Sequence, residues 1–137
     1  MIEEVVERAA RLEVQPDLIG LLNSQRLYYK QANDVAGCRR TAELWEKLHR
    51  TDPRSLYNAA CYRGVVAAVI RASDKSPAAA QAARAEADRA MAWLQQAIAA
   101  GYDNVALMKK DSDLDPLRDR ADFQELLAEQ EARSARK

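Results

Sequence analysis

In three places this chain sets a side-chain oxygen directly before a proline: Asp52-Pro53, Ser76-Pro77 and Asp115-Pro116. Such a pair marks a helix start. The oxygen can accept from an early backbone N–H, while the proline lacks only an N–H that would have no intrahelical partner and brings a φ that is already helical. The chain has four glycines and four prolines in all, and nearly all stand where a helix should begin or end. Gly37 and Gly101 follow periodic apolar runs and suit left-handed C-caps. Asp122 with Glu125 reads as an aspartate version of the capping box ahead of a last helix. This punctuation is all-α.

Between these marks the apolar residues recur at intervals of three and four, the helical period. A first segment carries Ile2, Val5, Val6, Ala9 and Leu12 and ends near Pro16. A second carries Leu18, Leu21, Leu22, Tyr28, Tyr29, Ala32 and Val35. Cys38, Thr41, Ala42, Trp45 and Leu48 form a third. After Pro53 comes a nearly all-apolar helix from Leu56 to about Ala72, followed by a helix from Pro77 to Ala100 with Ala83, Ala87, Ala90, Met91, Leu94, Ala97 and Ile98 on one stripe. A short helix around Val105 to Lys109 and a last one from Phe123 to about Ala132 complete the pattern. No segment reads as a strand. Gly64, inside the most apolar helix, costs about 1 kcal/mol against alanine, which points to a close backbone approach there, the alternative being a tolerated surface glycine.

Lys plus Arg and Asp plus Glu balance at 21 each, and Met1 to Arg50 has eight of either sign, so no net field favours nucleic acid or an anionic membrane. The longest strictly apolar run, Val65 to Ile70, is far too short to span a bilayer. No basic-then-apolar leader opens the chain, and Cys38 and Cys61 read as buried thiols, so a reducing, cytoplasmic setting is expected. The start at Ile2, in mid-pattern, hints at a domain excised from a longer protein.

Leu22 to Ser55 is 34 residues long, the period of a tetratricopeptide repeat. It has Gly37 at the inter-helix turn, Thr41, Trp45 and Leu48 at spacings of four and three, and Pro53 near its end. Ala90, Leu94 and Ala97 repeat that spacing, and Tyr57-Asn58-Ala59-Ala60 is similar to the Tyr-Asn-Leu-Gly of the repeat. Thr41 departs from the usual alanine. The second half of the chain resembles the tetratricopeptide end region that often follows the kinase domain in large bacterial serine/threonine protein kinases, particularly of planctomycetes. The resemblance is carried by Leu56-Tyr-Asn-Ala-Ala-Cys61, Ala90 to Gly101, and Lys110 to Arg118 with Phe123, Leu126 and Leu127. Nothing resembles the kinase itself. The resemblance implies an interaction region of such a protein, or a free-standing relative.

The candidate sites each have a plain alternative. Asp111, Asp113, Asp115 and Asp122 alternate like calcium ligands, but Pro116 and Asp122 stand where the calcium loop needs glycine and glutamate, and helix capping explains them better. Leu114 and Leu117 read as a plug for the end of the last helix pair, with Asp115 capping the turn. His49, the only histidine, sits near a helix C-terminus with no nucleophile to serve, which suits a surface or capping role. Cys61 could be a reactive thiol, though its neighbours suggest packing. Trp45 and Trp93 read as core, and Tyr28 and Tyr29, about 100° apart on a helix, cannot both face inward. In a tetratricopeptide stack the first helix of each pair lines the concave face, placing Arg26, Lys30 and Asn33 beside Tyr57, Asn58 and Cys61. Arg26 and Lys30 share a face and could hold a carboxylate of a bound peptide, the alternative being an ordinary solvated face.

The expected fold is therefore all-α: a right-handed, tetratricopeptide-like stack of antiparallel helix pairs closed by a short C-terminal capping pair. Its parts are an N-terminal helix (1–15), a first pair (17–52), an extended second pair (53–101) and capping helices (103–133). The expected role is protein–protein interaction through a protein or peptide partner, with no cofactor, metal, nucleic acid or membrane, and with no catalysis. A homo-oligomerisation element using Ile2 to Leu12 is the alternative, and a small helical enzyme is a third reading that no acid–base pair, metal cluster or nucleophile recommends.

Overall fold

A computed structural model describes residues 15–136. Six α-helices and one 3-10 helix occur among them, without a strand: α1 (Gln15–Gln31), α2 (Val35–Glu46), α3 (Pro53–Ser73), α4 (Pro77–Ala99), α5 (Val105–Lys110), the 3-10 helix Ser112–Leu117, and α6 (Ala121–Ala135). The segment from Ile2 to Leu12 lies outside the described residues. None of the described helices is long and apolar enough to cross a membrane.

Local chemistry starts and stops most of these helices. Asp52 accepts from the N–H of Ser55 and Ser76 from that of Ala79, each with proline in the first turn, as expected from sequence. Asp34 and Asn104 cap α2 and α5 in the same way. Gly101, at φ 111°, closes α4 with paired bonds from Gly101 N–H to the Ile98 carbonyl and from Tyr102 N–H to the Ala97 carbonyl. Asn33, at φ 53°, closes α1 by the same pattern, and His49, at φ 52°, follows the end of α2.

Three expected caps are overturned. Gly37 is not a C-cap. It is buried in the first turn of α2, its N–H donates to Asp34, and a Cβ there would enter the ring of Tyr29. Asp115 lies inside the 3-10 helix, whose N-cap is Asp111. The Asp122–Glu125 capping box does not form either. Arg120 is the N-cap residue of α6 and makes no side-chain capping bond, and Asp122 sits in the first turn, ion-paired to Arg120.

α3 is the organising element, packing on α1, α2, α4 and the 3-10 helix. It contributes to two apolar clusters. In the first, Tyr62, Val65, Val66 and Val69 meet Leu18 and Leu22 of α1, Cys38, Ala42 and Trp45 of α2, and Ala79 and Ala83 of α4. In the second, Leu56, Tyr57, Ala60 and Cys61 meet Met91 and Leu94 of α4, Met108, and then Leu114, Leu117 and Phe123 of the closing segment. Leu114 and Leu117 are fully buried, as a plug should be. Tyr28 is exposed while Tyr29 packs against the core.

Gly64 permits the closest approach in this arrangement. A Cβ on it would collide with the backbone carbonyl of Asp113, so the neighbour it admits is the 3-10 segment rather than another α-helix. One residue earlier, Arg63 is 2% exposed. Its guanidinium donates to Glu46 through Nε and Nη2, both at 2.8 Å, and to Glu86 through Nη1 at 3.0 Å. Trp93 Nε1 donates to Glu46 as well, at 3.0 Å. Burial works against the charge on Arg63, but the two carboxylates outweigh it and hold the group protonated.

Candidate functional site

The groove of interest lies where α1, α3 and the closing segment meet. Its floor is aromatic. Tyr57 stacks on Tyr102 with ring centres 4.2 Å apart and planes within 6°. The Tyr57 hydroxyl donates to Asp111 Oδ2 at 2.7 Å, and the Cys61 thiol lies 3.6 Å from the same oxygen. Asp111 Oδ1 meanwhile accepts from the N–H of Asp113, so one carboxylate caps the 3-10 helix and ties it to α3.

Asp113 makes the second tie. Its carboxylate accepts from Arg26 Nη1 and, at 3.1 Å, from Lys30 Nζ, joining the closing segment to α1 across more than 80 residues. Arg26 also lies over the ring of Tyr62, 5.4 Å from its centre, and Tyr62 donates to Asn23 at 3.0 Å. Arg118 fastens the segment from behind, donating to the carbonyls of Met108 and Asp111 at 3.2 and 2.7 Å.

These surroundings favour the neutral form of the thiol and of the two stacked phenols. Burial, and then the nearby Asp111 carboxylate, raises the Cys61 thiol well above its ordinary value. Burial followed by Cys61 raises Tyr57 too, and Tyr102 is pushed up to about 12 for the same two reasons. Cys38, elsewhere in the core, rises to about 11 through burial and Asp34. A thiol so disfavoured as thiolate is neither a good nucleophile nor a good metal ligand. Donor atoms of Cys61, Asp111 and Asp113 do lie within 4.8 Å of one another. The set is poorly suited to a cation, because the Asp113 carboxylate is already held by Arg26 and Lys30.

The open part of the groove has a volume of ≈ 340 Å³. Four of the six residues nominated from sequence line it: Arg26, Tyr57, Asn58 and Cys61. Tyr57 and Cys61 are buried and build the floor, whereas Asn58 is half-buried at the surface. Lys30 is spent on Asp113 outside the lining, and Asn33 is an exposed turn residue closing α1. The carboxylate expected between Arg26 and Lys30 is thus supplied by the chain's own Asp113. Arg54, Tyr102, Asn104 and Leu107 also line the groove and were not nominated. Arg54 had a signal, standing four residues before Asn58 and so on the same helical face.

No family model matches the chain, and no curated protein or solved structure matches it either. The likeness to the tetratricopeptide end region therefore stands on the residues quoted for it.

Proposed function

We propose that this chain is a protein–protein interaction module of the tetratricopeptide kind, docking a peptide or protein partner in the groove between α1, α3 and the closing segment. The observation that carries this reading is the open lining itself. Arg54 makes no ion pair among the described residues, Asn58 no side-chain hydrogen bond, and both stand beside the stacked Tyr57 and Tyr102. An aromatic wall with an unpaired guanidinium and an amide suits an extended peptide bearing a carboxylate. With Arg26 and Lys30 both ion-paired to Asp113, Arg54 becomes the cation that meets the partner. The resemblance supports placing such a module in a bacterial serine/threonine kinase-type signalling protein.

Selection of a random displayed-peptide library on the immobilised chain tests the reading. Acidic peptides should enrich, bind wild type, and lose affinity for Arg54→Glu with Asn58→Ala, while the thermal midpoint of that double variant stays unchanged. Absence of any enriched sequence, or peptides indifferent to the two substitutions, would overturn it.

Self-association is a second reading, favoured by α1, where Leu27 is 53% and Tyr28 66% exposed. A solution mass equal to one chain, with and without residues 1–15, would exclude it.

A further inference from the structure

Gln130 stands where the last helix should carry an apolar side chain. It follows the buried Phe123 by seven residues, on the same face of α6, and is only 4% exposed. Its amide makes no hydrogen bond among the described residues. Among the described residues only Arg26 Nε is sealed from solvent without a partner, so the Gln130 amide opens onto the space beside it. Gln130 lines a cavity of ≈ 370 Å³ between the start of α5 and the end of α6, together with Asp103, Asn104, Val105, Arg133 and Ser134. Arg133 and Ser134 follow Gln130 by three and four positions and so share its face. Neither side chain has a hydrogen-bond or ion-pair partner among the described residues, whereas Asp103 on the opposite lip is already engaged.

We infer that this cavity is a binding site for a carboxylate adjoining an amide, the chemistry shared by a protein's C-terminal residue and an N-acyl amino acid. The Arg133 guanidinium and the Ser134 hydroxyl hold the carboxylate. Gln130 offers a donor and an acceptor to the adjoining amide, and being buried it discriminates against ligands that lack one. The cavity shares Asn104 with the groove described above and uses none of its other residues. The inference therefore does not rest on the proposed function.

The test is ¹⁵N NMR titration of the full chain, reading the Gln130 side-chain NH₂ pair, which is assigned by its loss in Gln130→Leu. The probes are N-acetylalanine, acetyl-trialanine, and acetyl-trialanine amide. At millimolar concentration at least one of the two carboxylates should move the Gln130 pair saturably, with the amidated peptide weaker by about tenfold or more. Arg133→Ala should weaken the carboxylate ligands by a similar factor, and in Gln130→Leu, read by the backbone amides of residues 103–105 and 133–134, their binding should be abolished without loss of the fold. Tighter binding of acetyl-trialanine than of N-acetylalanine identifies a protein C-terminus as the ligand, and equal affinity identifies a small acyl amino acid. An unmoved Gln130 pair, or equal shifts with the amidated peptide, overturns the inference.

Discussion

The carbonyl of Asp113 rests against Gly64 where any other residue would carry its Cβ. This contact seats the 3-10 helix on α3 and brings the Asp113 side chain to Arg26 and Lys30.

Gly64→Ala should therefore destabilise the chain, because the obstructing atom belongs to a backbone that cannot swing aside. Overpacking of this kind costs about 1–3 kcal/mol, set against the gain of about 1 kcal/mol in helix propensity. Gly20 provides the contrast. It lies mid-helix in α1 with nothing among the described residues within 4 Å of a Cβ, so Gly20→Ala should stabilise by about the propensity difference alone. Urea midpoints of the two variants should move in opposite directions, and a shared direction would refute the packing account.

Arg63 holds two carboxylates from different helices, Glu46 of α2 and Glu86 of α4. Arg63→Met leaves both without their buried cation and should cost about 3–5 kcal/mol. Adding Glu46→Gln and Glu86→Gln should restore much of that loss, since the uncompensated charges are then gone. A triple variant as unstable as Arg63→Met would show that packing, not charge, sets the cost.

Asp113→Asn should separate stability from binding. It removes the carboxylate from Arg26 and Lys30, at a cost of about 1–3 kcal/mol. It also leaves those two cations open beside Arg54. Acidic peptides selected on the wild-type chain should therefore bind the variant more tightly despite its lower unfolding midpoint. Weaker binding, measured by calorimetry below that midpoint, would argue that the 3-10 segment is needed to shape the groove.

Acid should loosen the start of α6. Hydrogen bonds from Arg120, opposed by a smaller effect of burial, hold the Asp122 carboxyl below its ordinary 3.8. The unfolded chain then takes up this proton first as pH falls. The pair's contribution is accordingly present above pH 3.8 and is lost as pH drops through the lower folded-state value. Asp122 is more than a third exposed, so the contribution is at most about 1 kcal/mol. Asp122→Asn should flatten the fall of the urea midpoint between about pH 5 and pH 2. Parallel pH profiles for the two proteins would count against it.

Much of the helix layout was legible because capping is local. A cap reaches only two or three residues along the chain, so Asp52-Pro53, Ser76-Pro77 and Gly101 could be read without knowing the path of anything else. Gly37 failed under the same logic. Its requirement comes from the Tyr29 ring crossing from α1, and Asn33 supplies the left-handed turn in its place. The groove was half legible. Tyr57, Asn58 and Cys61 share one helix, and Arg26 was placed by the repeat period, but no spacing announced that Asp111 and Asp113 would reach them. Arg63 did leave a trace, as the one charge between Leu56 and Ile70.

By itself the sequence determined the all-α class, the helix starts at Asp52-Pro53 and Ser76-Pro77, and the burial of Leu114 and Leu117, since these follow from short-range hydrogen bonding and from periodic apolar faces. Only the tertiary structure decided which charges are spent. Arg26 and Lys30 meet Asp113 from 87 and 83 residues away. Whether such groups meet depends on the path of every helix between them, which no local pattern encodes.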